Sequence, residues 1–306
     1  MFKEEKVLNN EEGRIKTSIT KIEPNKIFTR GYSQDDLIAN ISFSKMVYLL
    51  LKGELPSEKE SKMFNHALIS FCDHGVTPPS TQTSRLIASS GSPLNVALSG
   101  GLLSFGKKHA GAIEDSMKLF QEIIDNNKSK FSSISYNFDI NDFSINNANI
   151  NDIINNTPNE DNISNDLNII INELAKMIVK EYLDNNRKIP GFGHRYHKKD
   201  PRGAKLMSLA KEKNFLGVHI KLALAIEKEL FDKKGICINV DGANAAILSD
   251  MGFSSTLGFG IFMIGRIPGI IAHINEEVNE EEEFRKFCDI EDVSFHGNVD
   301  KSINTD

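Results

Sequence analysis

Six side chains in this sequence stand in settings that packing alone does not require, and their types suit proton transfer and carboxylate binding. His194 lies in Pro190-Gly-Phe-Gly-His-Arg195, where two glycines permit a sharp turn and a close backbone approach to a ligand. His74 lies in Asp73-His-Gly75 ahead of Pro78-Pro79, and His109 in Gly106-Lys-Lys-His-Ala-Gly111 between two apolar helices. An imidazole can move a proton near neutral pH or donate to an oxygen that gains charge, but each of these rings can equally be a satisfied packing residue. Asp241 ends a short apolar run in Ile238-Asn-Val-Asp-Gly-Ala243, which suits either a helix N-cap or a general base aimed into a cleft. Arg266 sits inside an apolar run, where a guanidinium needs a buried partner or a ligand carboxylate. Arg202, after Asp200-Pro201, reads as a ligand arginine or a solvated helix-end charge. His197 near the glycine loop reads either way, and His66, His219, His273 and His296 have no comparable setting.

The bulk of the chain narrows the possibilities. Its 306 residues are 40% hydrophobic and 25% charged, an ordinary globular composition. A net charge of −6 calls for neither nucleic acid nor an anionic membrane as partner. Cys72, Cys237 and Cys288 are odd in number, far apart and without a CxxC, so neither a disulfide framework nor a cysteine-bound zinc is expected. A charged N-terminus without an apolar h-region argues against a secretory signal. The longest apolar run, Leu257 to Ala272, is broken by Arg266 and Pro268 and is expected to be too short to span a bilayer. These features fit a cytoplasmic protein. Phosphate-loop, HExxH and GxSxG signatures are absent.

The elements that must position the six residues read mainly as helices. Residues 44–52 carry an apolar face and stop at Gly53, with Pro56 beyond. Ser57 and Glu60 form a capping-box pattern before Met63, Phe64, Ala67, Leu68 and Phe71, which share one helical face. Ile113, Met117, Phe120 and Ile124 repeat that spacing, as do Leu174, Ile178 and Leu183, and then Leu222, Ala223, Ile226 and Leu230. Only Cys237 to Val240 suggests a short strand. Between Asn126 and Asn168, 43 residues hold 14 Asn and no Gly, which predicts a low-complexity, disordered surface insertion.

Several of these motifs, in this order, resemble the citrate synthase superfamily. Arg30-Gly-Tyr32, Asp36-Leu-Ile38 and the segment Tyr48 to Pro56 look like its N-terminal part. Gly193-His194 through Asp200-Pro-Arg202, and Asn239-Val-Asp241, are similar to its two most recognisable active-site segments. Asp73-His-Gly75, Pro78-Pro-Ser-Thr81, Arg85 and Ser90-Gly-Ser-Pro-Leu94 look closer to citryl-CoA lyases and the lyase module of ATP-citrate lyase. The likeness runs from about residue 17 to 277 and skips the Asn-rich segment. It implies a mainly α, two-domain helical fold. The large domain would comprise 1–111 and 256–306, and the small domain 112–255, with 126–168 as the insertion. A homodimer is implied too, with a cleft that closes on substrate around the Gly191–Gly193 loop.

By the same resemblance the chain interconverts citryl-CoA with acetyl-CoA and oxaloacetate, or forms citrate if the thioester is hydrolysed. Asp241 matches the carboxylate that handles the acetyl methyl proton, and His109 the histidine that polarises the thioester. His194 matches the histidine on the oxaloacetate oxygen. His74, Arg202 and Arg266 match substrate-binding residues. The coenzyme A thioester is substrate, with no metal and no further cofactor. A shorter chain and no match for the late arginine that many synthases supply across the dimer weigh against condensation as the main direction. A 2-methylcitrate synthase is a variant of this reading, and partnership with a separate citryl-CoA-forming ligase is compatible with it. The alternative from another class is a non-catalytic paralogue that binds CoA or citrate and regulates a partner.

Overall fold

The computed structural model describes residues 15–135, 160–286 and 288–299. Three short strands open the described chain, β1 (Thr20–Glu23), β2 (Lys26–Thr29) and β3 (Tyr32–Ser33), as an antiparallel meander. Arg30 and Gly31, both with positive φ, make the two-residue turn between β2 and β3. The sequence reading missed this sheet, because its strands are mostly exposed and show no in–out alternation.

Helices α1 (Gln34–Asn40), α2 (Phe43–Lys52) and α3 (Glu58–Phe71) follow. Gly53 stops α2 at φ +91°, a conformation that costs glycine nothing. The capping box of α3 is complete: Glu60 N–H donates to Ser57 Oγ and Ser57 N–H to Glu60 Oε2. All five predicted apolar residues of α3 are buried. Next come α4 (Pro79–Ser89), α5 (Leu94–Leu103), α6 (Gly111–Asn126), α7 (Lys128–Ser135) and α8 (Glu160–Asp184). Then α9 (Pro201–Glu212), α10 (Val218–Lys234), α11 (Val240–Asp250) and α12 (Ser255–Glu280) complete the α-helices among the described residues.

Two helices organise the rest. Helix α11 is buried from Gly242 to Asp250 and packs against α3, α6, α9 and α10. Helix α12 packs against α3, α4, α5 and α6. It is the one described helix long and apolar enough to cross a membrane by length and composition alone. Arg266 and Pro268, expected to break the run, lie inside this single 26-residue helix. Its glycines let it press on α3: a Cβ on Gly265 would lie 2.8 Å from Phe71 Cβ and 3.0 Å from Leu68 O.

Two other expectations are corrected. The strand over 237–240 is a single bridge between Ile238 and Phe192, and Val240 already begins α11. The flanks of the Asn-rich segment are helical, with α6 running to Asn126, α7 covering 128–135 and α8 starting at Glu160. Phe131 and Leu167 are buried there, so a few apolar contacts outweigh a poor local propensity. Residues 136–159 lie outside the described residues.

Candidate active site

The glycine loop of His194 and the start of α11 are built as one block. Gly191 has φ +83°, and a Cβ on it would sit 2.6 Å from Gly242 Cα and 2.7 Å from Ser116 Oγ. Two glycines therefore let two backbones touch. Asn239 N–H donates to Gly191 O at 3.0 Å, and Gly193 N–H to Cys237 O at 2.8 Å. The Asn239 amide also donates to Gly193 O at 2.8 Å.

His194 leaves this block half-buried. Its Nδ1 accepts from the N–H groups of Tyr196 and His197 at 3.1 and 3.2 Å, which puts the ring proton on Nε2. Burial lowers its pKa, with Asp200 opposing. The His74 ring stands 5.7 Å away, edge to face.

Asp241 is not the N-cap. Asn239 caps α11, its Oδ1 accepting from the N–H groups of Asp241 and Gly242 at 3.0 and 3.1 Å. Cap and candidate base are thus separate residues. No hydrogen bond reaches the Asp241 carboxylate among the described residues. Desolvation pushes its pKa up to about 6, although Arg202 and Arg266 pull the other way.

His109 points at the start of α4. Ser80 N–H and Oγ lie 3.4 and 3.0 Å from its Nε2, so the amide donates there and the ring proton belongs on Nδ1. Burial, then the charges of Arg266 and Arg195, hold its pKa down to about 4. The ring is neutral at physiological pH. Ala110, at φ +71°, ends the tight Gly106–His109 loop that aims it. His74 is likewise lowered by burial, then by Arg202 and Arg266. Its turn is folded by Asp73, which accepts from Gly75 N–H at 3.1 Å and pairs with His273 Nε2 at 3.0 Å.

The arginines differ. Arg202 Nε and Nη2 lie 3.2 and 3.1 Å from the two oxygens of buried Asp200, which also accepts from Val240 N–H at 3.0 Å. Burial raises the Asp200 pKa, but Arg202 and these N–H groups outweigh it and hold the carboxyl below its usual range. Arg266 is 4% exposed, donates to Phe71 O at 2.6 Å, and lies 5.1 Å from the Phe262 ring. No carboxylate is within ion-pair distance of it among the described residues.

All six predicted residues thus converge: Arg266 acts electrostatically on His74, His109 and Asp241, and Arg202 on His74, His194 and Asp241. Sequence reasoning missed Asp200, Ser80 and Asn239. Asp200 had a usable signal, an Asp directly before a Pro at the first helical position. Among the described residues, no three His, Cys, Asp or Glu side chains are grouped to hold a metal ion.

The family model described as "Citrate synthase, C-terminal domain" matches residues 13–68 and 57–286. The chain belongs to the citrate synthase family. A family member from Heyndrickxia coagulans, a citrate synthase, is 26% identical over 254 residues, covering 81% of this chain. The present chain spans only 56% of that relative's length. The solved structure of citryl-CoA lyase from Hydrogenobacter thermophilus is 38% identical, with TM-score 0.73, covering 95% of this chain and 97% of that one. ATP citrate lyase from Methanothrix soehngenii, solved in complex with citrate and coenzyme A, shares the fold at 20% identity and TM-score 0.68. That match covers 98% of this chain and 44% of the longer one.

Proposed function

We propose that this chain is a citryl-CoA lyase that cleaves citryl-CoA to acetyl-CoA and oxaloacetate, with measurable condensation in reverse. The observation that carries the reading is an Asp241 carboxylate without a hydrogen bond among the described residues and a neutral His109, both in the field of the buried Arg266. The 38% identity to a citryl-CoA lyase, set beside 26% to a citrate synthase, supports cleavage over condensation.

The chemistry follows from the protonation states. In condensation Asp241 takes a methyl proton of acetyl-CoA, and Nδ1–H of His109 donates to the thioester oxygen as the enolate forms. The enolate carbon attacks the keto carbon of oxaloacetate. Nε2–H of His194 meets the oxygen that gains charge, while Arg266, Arg202 and His74 hold carboxylates. In condensation the alkoxide takes the Nε2 proton of His194; in cleavage the C3 hydroxyl returns that proton to Nε2, the C–C bond breaks, and protonated Asp241 gives its proton to the enolate carbon. The coenzyme A thioester is the substrate, and no step assigned here uses a metal or another cofactor.

The two-domain division belongs to this proposal, with 112–255 carrying His194 and Asp241 and the large domain (1–111 and 256–306) carrying His74, His109 and Arg266. So does a cytoplasmic homodimer without nucleic-acid or membrane partners. Helices α4, α5 and α12 pack together yet leave Leu86, Leu94, Val96 and Leu103 exposed, which a second copy would cover.

Two assays on purified protein test the function. Rapid loss of citryl-CoA, with little thiol released from acetyl-CoA and oxaloacetate, is the expected result. Strong thiol release would make the chain a short citrate synthase. Silence in both assays from folded protein would favour the non-catalytic paralogue.

A further inference from the structure

An N-cap needs only an acceptor. Asn, Asp and Ser fill the position about equally well, and a serine hydroxyl or aspartate carboxylate would satisfy the first N–H groups of α11. Asn239 brings a donor as well, and the donor is used. Its Oδ1 takes the N–H groups of Asp241 and Gly242, while its Nδ2 reaches across to Gly193 O at 2.8 Å. The amide orientation is fixed by this arrangement, since only oxygen suits the two N–H groups and only nitrogen suits the carbonyl. Gly193 is the residue before His194, and Asp241 carries the unpartnered carboxylate. One planar side chain therefore holds the two residues on opposite sides of the bond that is made or broken.

We propose that Asn239 is a positioning residue that sets the separation of His194 and Asp241, beyond its role as a helix cap; the inference rests on the citryl-CoA reading for its kinetic effect only. The loop needs such a tie. Gly191 and Gly193 both have positive φ, so the segment leading to His194 is built from the residues that resist backbone motion least. Its backbone fastenings to this strand-like segment, Asn239 N–H to Gly191 O and Gly193 N–H to Cys237 O, both lie before the histidine. Of the bonds between the loop and residues 237–239, the one from the Asn239 amide to Gly193 O lies nearest to it.

Asn239→Ser separates the two roles, because serine keeps the cap acceptor but is too short to reach Gly193 O. The expected result is a loss of about 10- to 100-fold in kcat for citryl-CoA cleavage, the scale of a misplaced catalytic group. Amide hydrogen exchange of 191–194 should accelerate, while the first turn of α11 keeps its protection. Asn239→Ala should release both segments. Wild-type turnover and loop exchange in Asn239→Ser would overturn the proposal and leave a plain cap. If Asn239→Ser does not fold, Asn239→Asp, which keeps the acceptor and lacks the donor, takes its place; failure of both to fold would also overturn it. Should the wild-type protein prove inactive on citryl-CoA, the functional reading fails alone, and the exchange arms still decide the tether.

Discussion

Two buried arginines, one packed against the long helix α12 and one within it, have opposite surroundings. Arg85, from α4, is 7% exposed and saturated: it pairs with Glu276, with Glu277 at 2.6 Å and with Glu281 at 2.9 Å. Arg285 closes the cluster from the far side through Glu277 and Glu281. Arg266, from α12 itself, is as deeply buried and has one carbonyl and one aromatic face. A buried charge that is fully matched holds elements together, here α4 to the end of α12. A buried charge with no carboxylate at ion-pair distance among the described residues holds part of its field in reserve for a ligand that brings one. The same contrast separates Asp200, which is fully hydrogen-bonded, from Asp241, which accepts nothing among the described residues.

The comparison can be broken in order of effect. Asp241→Asn should cost at least about 10²–10³ in kcat, the loss seen when one group at a reacting centre is removed. It should cost no stability at pH 8. A carboxyl whose folded pKa is raised above its unfolded value contributes stability fully below the unfolded value of 3.8 and loses it as pH rises through about 6. The variant removes that loss, and a destabilised Asp241→Asn in urea at pH 8 would mean that Asp241 is structural. Arg85→Met should do the reverse. Breaking one member of a buried ionic cluster costs about 3 kcal/mol, seen as a lower urea midpoint, with kcat per folded molecule retained.

The pH profile sharpens the comparison further. Condensation needs ionised Asp241, so its kcat should fall as pH drops through about 6. His109, held to about 4, adds no limb between pH 5 and 8. A condensation kcat without a limb near 6 would remove Asp241 from the proton path. The smallest effect is expected for His273→Ala, which frees Asp73 beneath His74. Loss of one such bond is worth about 1 kcal/mol, read as a higher KM for citryl-CoA with kcat nearly kept.

Much of this was legible in the chain because apolar spacing survives in α3, α6 and α10, where one face is buried and the other is not. The sheet over 20–33 was hidden, since exposed strands carry no alternating pattern. The ends of the Asn-rich segment were misjudged because two well-placed apolar residues, Phe131 and Leu167, decided the matter against composition. At the site, residue types that cannot rest unpaired were readable one by one. What could not be read was whether Asp241 caps its helix or leaves that to another residue. That depends on the backbone register of α11, and it is what frees Asp241 for chemistry. Asp200 was overlooked for a similar reason: its value lies in contacts to Arg202 and to Val240, which meet only after folding.

The central claim is that Asp241 hands a proton to the enolate released from citryl-CoA. Cleavage in deuterated water, followed by mass spectrometry of the thioester product, tests it directly. The account predicts acetyl-CoA carrying one deuterium in its methyl group, formed by the wild-type protein and lost with Asp241→Asn. Singly deuterated product formed at an undiminished rate by Asp241→Asn, or no acetyl-CoA from the folded wild-type protein, would contradict it.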